Sequence, residues 1–361
     1  MSYKNKIKKI INNKDILTWT VIVLLGILIL AVFLPIKLPS FKSEKVYNLE
    51  ITIIDGCGED CFDIDVISDG LKAREDFKIK KLERLDYNSE DARLLIQKFG
   101  ITRIPAIIIK SKDPLADILN ISNEDTFAIN GDYIIFEKGV PYLDLSSNKI
   151  KGNIELIEIQ DTSCKQCGSF SLFKNWLEEM NVKVDNYKLI DSSSQEGKEL
   201  IEKNNITYLP SILIEKEIEE YWWIFPSLKP NLENKESGYL LNQKTYPYID
   251  VSNNKIKGIV NSIYLVNKSC DTCFDISLLK ESFQASGVYI EDESEVDISS
   301  PDGSRLVKLY NITAVPTIIF SKEISDYDHL ADTLGQLGTI EKDGKFVFRA
   351  LKELNLNYQK L

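Results

Sequence analysis

Residues 154–214 read IELIEIQDTSCKQCGSFSLFKNWLEEMNVKVDNYKLIDSSSQEGKELIEKNNITYLPSILI, and this stretch decides the fold. A β-rich run, Ile154 to Ile159, leads through Asp161, Thr162 and Ser163 to Cys164, and such polar neighbours are ordinary helix-start residues. Phe170, Phe173, Trp176, Leu177 and Met180 then recur at helical spacing, which predicts a helix following the cysteines. Val182 to Ile190 predicts a second strand ending at Asp191, and Gln195 to Asn204 a second helix. Ser211 to Ile214 predicts an apolar strand entered through Pro210. The order is strand, cysteine pair, helix, strand, helix, proline, strand.

The same order recurs on both sides, and a fixed period means that one architecture is used more than once. Cysteines occur only as Cys57 with Cys61, Cys164 with Cys167, and Cys270 with Cys273, so successive first cysteines lie 107 and 106 residues apart. A second landmark keeps step: GITRIPAIII around Pro105, NITYLPSILI around Pro210 and NITAVPTIIF around Pro316 fall 48, 46 and 46 residues after those cysteines. The first unit continues as a helix over Cys61 to Ala73, a strand over Phe77 to Leu85 and a helix over Ser89 to Phe99. The third does so over Cys273 to Ala285, Val288 to Val296 and Asp302 to Tyr310. Asn130-Gly131 and Asp343-Gly344 predict closing hairpins in these two units. Pro141-Tyr142-Leu143-Asp144 through Gly152 is echoed by Pro247-Tyr248-Ile249-Asp250 through Gly258, which marks the junctions. The Asn-Ile-Thr triplets at Asn205 and Asn311 match the glycosylation sequon but belong to the repeated turn, and we read them as structural.

A cysteine pair at a strand-to-helix junction, followed some 46 residues later by an aliphatic-proline step into an apolar strand, resembles the thioredoxin superfamily across nearly all of residues 46–361. The resemblance implies an α/β protein of three tandem thioredoxin-like domains, each a mixed central sheet with flanking helices, at 46–145, 146–251 and 252–361. It further implies cis peptides at Pro105, Pro210 and Pro316, abutting the cysteines and forming with Leu209 and Val315 the substrate-binding edge. Glu158 lies six residues before Cys164, at the position of the buried acid that assists proton transfer in thioredoxin, whereas the other units have Ile51 and Tyr264 there. No unit carries the Trp-Cys-Gly-Pro-Cys sequence of thioredoxin itself, and the first has three residues between its cysteines. The layout is similar to that of protein disulfide isomerases.

The chemistry follows from spacing. Residues three or four apart on a helix lie about 5–6 Å apart at Cβ, within reach of a disulfide. With the first cysteine at a helix N-terminus, the macrodipole favours the thiolate, which is the attacking species. Purely structural staples are a weaker explanation, because closing a ring of four residues removes only ~2 kcal/mol of unfolded-chain entropy against ~4.7 kcal/mol for a 100-residue loop. Zinc held by two pairs would need two domains face to face, with His329 the one histidine in the chain. We therefore expect no metal and no cofactor, with Cys164 and Cys270 attacking and Cys167 and Cys273 resolving. Lys165 favours ionisation at Cys164, while Glu59 and Asp60 oppose it at Cys57 and Asp271 does so at Cys270, so the second pair should be the most reactive and Cys57–Cys61 the least. Tyr221-Trp222-Trp223-Ile224-Phe225-Pro226 could contact an unfolded client or simply fill the core.

At the other end, residues 16–34, ILTWTVIVLLGILILAVFL, hold no charge and predict a transmembrane helix. Five lysines precede it, so a cytoplasmic basic tail (1–15), the span (16–34) and a linker (35–45) would place the domains outside the cytoplasm on a single-pass anchor in the lipid bilayer. A net charge of −11 argues against a nucleic-acid partner, since phosphate binding needs clustered Lys and Arg. The expected partners are client proteins bearing thiols or disulfides and a redox-recycling partner. The competing expectation is a noncatalytic scaffold or holdase.

Overall fold

The computed structural model describes residues 46–113 and 127–361. The expected transmembrane helix at 16–34, with its tail and linker, lies outside the described residues. Among the described residues no helix is long and apolar enough to cross a membrane.

Three five-stranded mixed sheets share one strand order. In the first, Tyr47–Asp55 pairs parallel with Phe77–Asp86 and antiparallel with Ala106–Lys110, and Tyr133–Phe136 and Ala128–Asn130 complete the sheet. The second is Val184–Asp191, Ile154–Gln160, Ser211–Ile214, Gly238–Leu241 and Leu232–Lys235 in spatial order. The third is Tyr289–Asp297, Ile259–Val266, Thr317–Phe320, Phe346–Phe348 and Gly338–Ile340. Each parallel pair needs a crossover, which the helices Asp65–Lys72, Ser171–Glu179 and Ser277–Ala285 supply. This architecture is consistent with thioredoxin-like units.

Strand alternation puts a core on both faces of each sheet. Leu49, Ile51 and Ile53 pack with Ile67 and Leu71 of the crossover helix. Ile54 on the opposite face packs with Ala92 of the helix Glu90–Phe99 and with Ile104 and Ile108. Helices Glu90–Phe99, Gln195–Asn204 and Pro301–Leu309 all open on a serine whose hydroxyl accepts a backbone N–H three residues on: Ser89 from Ala92, Ser194 from Gly197 and Ser300 from Gly303. They end where Gly100, Asn205 and Asn311 take left-handed backbone, so both sequon asparagines occupy turn positions.

The crossover helices correct one expectation. They do not begin at the cysteines but at Asp65, Ser171 and Ser277, beyond the second cysteine of each pair. The physical reason is a polar start signal placed later than the one read from Asp161 to Ser163. Asp63 accepts from the Asp65 N–H, Ser169 from the Ser171 N–H and Asp275 from the Ser277 N–H, while Asp161 spends its carboxylate on Ser163.

The aromatic run of the second unit is core. Tyr221 and Ile224 are buried, Trp223 stacks edge-on against Tyr221 and donates to the Met180 carbonyl, and the more exposed Trp222 donates to the Lys138 carbonyl across the first junction.

Candidate redox site

Each cysteine pair sits in the loop between first strand and crossover helix, joined as a disulfide. The Cα–Cα separations are 5.9 Å for Cys57–Cys61 and 5.5 Å for both Cys164–Cys167 and Cys270–Cys273. All six cysteines are half-buried, so the sulfurs are neither held apart nor sealed in the core. A one-turn helix over Gly58–Asp60 carries the extra residue of the first pair and presents Glu59 and Asp60 to solvent. Because the crossover helices start later, no cysteine lies in the first turn of one, and in the second and third units the macrodipole acts on the thiols from farther away than the sequence suggested.

The peptides before Pro105, Pro210 and Pro316 are cis, as are those before Pro141 and Pro247, which the sequence reading marked only as junctions. The first three place the preceding residue beside the sulfurs. Cys57 Sγ lies 3.7 Å from the Ile104 carbonyl oxygen and Cys273 Sγ 3.9 Å from that of Val315. Cys164 and Cys167 pack with Leu209, Ile159 and Ile249. The proposed edge residues Leu209 and Val315 thus do meet the cysteine loops, but their backbones are already paired: Leu209 with Ile249 and Val315 with Gln359, as Ile104 is with Leu143. Sequence reasoning saw the Pro-Tyr segments as junctions and missed that they lie in the site. The signal was their recurrence in two units, Pro141 lying 36 residues after Pro105 and Pro247 37 after Pro210.

Polar anchors hold the loops. Asp191 accepts from the Thr162 N–H and hydroxyl two residues before Cys164, and the bonds from Ser193 first, then those from Thr162, hold its carboxyl far below the usual range. Lys165 is exposed, and Gln166, between the cysteines, donates to Glu291 of the third unit at 3.3 Å.

Glu158 is fully buried, and its Oε2 accepts from the Tyr187 hydroxyl, from the Phe170 N–H at 3.1 Å and from the Ser169 hydroxyl at 3.4 Å. Among the described residues its Oε1 has no hydrogen-bond partner. Burial pushes its carboxyl above the usual glutamate range, against the pull of those three donors. Tyr187, which the sequence reading did not mention, has its hydroxyl held protonated well above the usual tyrosine range, first by burial and then by Glu158. Among the described residues no group of three or more His, Cys, Asp and Glu could hold a metal ion.

Comparison with known proteins adds little to this geometry. A scan of protein-family models and a search of curated proteins each found no match. Among solved structures, similarity was found to the NTD_N/C domain of the alkylhydroperoxide reductase AhpF from Enterococcus faecalis, at 15% identity over 47% of this chain and 82% of that one, with a TM-score of 0.14. The zinc-bound form of human ERp44 is similar at 13% identity over 81% and 86%, with a TM-score of 0.13. ERdj5 form II is similar at 11% identity over 91% of this chain and 41% of that one, with a TM-score of 0.15. Overlaps this loose carry no argument about function, and the class is argued from the chain's own sheets and cysteines.

Proposed function

We propose that this chain is a thiol-disulfide oxidoreductase acting on protein disulfides, anchored in a membrane by residues 16–34 with its three thioredoxin-like units outside the cytoplasm. The observation that carries the reading is the threefold recurrence of one arrangement: a half-exposed cysteine pair set against the residue before a cis proline. Cys164 and Cys270 attack, Cys167 and Cys273 resolve, and a mixed disulfide with the client is the intermediate. Glu158 offers the second unit a buried proton acceptor. The charge-free span and its preceding lysines support the anchor and its orientation.

Reduction of insulin disulfides by the chain with a dithiol reductant tests the reading. Turnover lost in the Cys164→Ser, Cys270→Ser double variant is the expected result, and turnover equal to the uncatalysed rate in the unsubstituted chain would overturn it. A noncatalytic scaffold is the second reading, and the occupied strand edges beside Pro105, Pro210 and Pro316 favour it.

A further inference from the structure

The edge beside Pro105, Pro210 and Pro316 is filled by a segment of the chain itself, and the three segments take equivalent positions. In the first unit Arg103 and Ile104 pair with Asp144 and Leu143; in the second Tyr208 and Leu209 pair with Asp250 and Ile249; in the third Ala314 and Val315 pair with Lys360 and Gln359. The flanking bonds repeat as well. The residue after the second cysteine donates to the start of the segment, Phe62 to Pro141, Gly168 to Pro247 and Phe274 to Asn357, at 2.7, 2.9 and 2.8 Å. The end of the segment donates back, Leu145 to Thr102, Val251 to Thr207 and Leu361 to Thr313, at 3.0, 3.0 and 2.8 Å. Thus 141–145 (PYLDL), 247–251 (PYIDV) and 357–361 (NYQKL) each lie antiparallel between cysteine loop and cis proline. An extended peptide approaching the sulfurs would need the same backbone groups.

The three occupants are not held equally. Leu143 and Ile249 are 8% and 4% exposed and join the apolar clusters that contain their cysteines. Each of their strands is backed by a further one, Lys149–Lys151 or Lys255–Lys257, in a three-stranded sheet. In the third unit Gln359 and Lys360 are exposed and Tyr358 is 41% exposed. A polar Gln359, bonded to the Asn267 side chain, stands where the other units bury an aliphatic one.

We propose that residues 357–361 are a displaceable stand-in for a client strand. The third unit is then the one whose cis-proline edge opens to an extended polypeptide segment, with preference for an aliphatic residue at the position of Gln359. In the other two units the edge is closed by a buried strand. This is a statement about binding and deepens the function proposed above, so its test is kept free of redox chemistry.

Hydrogen exchange on the full chain reads the release directly. The Leu361 N–H should exchange at least ~100-fold faster than those of Leu145 and Val251, because its ladder opens without unseating core. Equal protection at the three sites would overturn the proposal. Binding is then measured by fluorescence anisotropy with a cysteine-free labelled peptide of sequence 354–361 carrying isoleucine in place of Gln359. Deleting residues 358–361 should tighten binding at least ~10-fold, because the stand-in no longer competes. Should that deletion unfold the unit, Gln359→Ile in the full chain decides: it should slow Leu361 exchange and weaken peptide binding several-fold, and an unchanged Leu361 exchange rate counts against the idea. Peptide binding without insulin turnover would leave this inference standing and remove the oxidoreductase.

Discussion

At the scale of single residues, one hydrogen bond appears in two units with its ends exchanged. In the second unit Glu158 is on the central strand and accepts from Tyr187 on the edge strand. In the third, Tyr264 is central and donates at 2.8 Å to Glu293 on the edge. The consequence is opposite titration. Burial raises the Glu158 carboxyl, whereas the Lys280 ammonium bonded to Glu293 leads the effects that lower it. Ionising Glu158 therefore opposes folding: its contribution to stability is complete below the ordinary glutamate value and is lost as pH rises through its raised value. Glu293 does the reverse, contributing above the ordinary value and losing that as pH falls through its lowered one. Urea denaturation should accordingly show Glu158→Gln raising the unfolding midpoint at pH 7–8 with little change at pH 4; a fall in midpoint at neutral pH would contradict the buried-acid account. The position of Glu158 was legible in the sequence, but its Tyr187 partner was not, because the two meet only when parallel strands pair 29 residues apart.

At the scale of elements, the second helix of each unit is the clearest case of local sequence deciding structure. A serine cap with a small residue three positions on repeats as Ser89 with Ala92, Ser194 with Gly197 and Ser300 with Gly303. Removing the cap in Ser300→Ala should cost about 1 kcal/mol in chemical denaturation. Gly197 has a second reason to be small: a Cβ there would stand 2.2 Å from the Asp191 backbone carbonyl oxygen. Gly197→Ala should therefore cost about 1–3 kcal/mol by forcing helix and strand apart, and a neutral result would show that the helix shifts freely. The crossover helices were less legible, since Asp161 and Ser163 look as good a start as Ser169. Only the path of the folded loop shows that Asp161 is already engaged.

At the scale of the whole molecule, the junctions repeat as faithfully as the units they join. The Tyr221 hydroxyl accepts from the Lys183 N–H at 2.8 Å and donates to the Gly152 carbonyl at 2.6 Å. Tyr327 does the same with the Tyr289 N–H at 2.7 Å and the Gly258 carbonyl at 2.6 Å. Tyr327 also stacks on Tyr246, ring centroids 4.1 Å apart, and burial there pushes the Tyr246 hydroxyl up to about 12. Tyr327→Phe leaves two main-chain groups without their partner and should cost about 1–3 kcal/mol. The Arg103–Glu220 ion pair between the first two units, 2.9 Å long and partly exposed, is worth less, so Arg103→Ala should cost under about 1 kcal/mol. Denaturant midpoints of the two variants, compared in one buffer, check that ordering.

The period, the order of elements along the chain and the pairing of the cysteines followed from the sequence alone, because hydrophobic alternation, turn residues and a proline step are local signals that a threefold repeat makes unmistakable. Which strand fills the edge beside the sulfurs followed only from the tertiary structure. A segment such as Asn357 to Leu361 has no helical or strand pattern strong enough to declare itself, and its role comes from pairing with Ala314 and Val315, more than 40 residues earlier in the chain. Backbone hydrogen bonding is blind to side-chain identity, so which strand fills an edge is decided by the path of the folded chain and not by the residues that fill it.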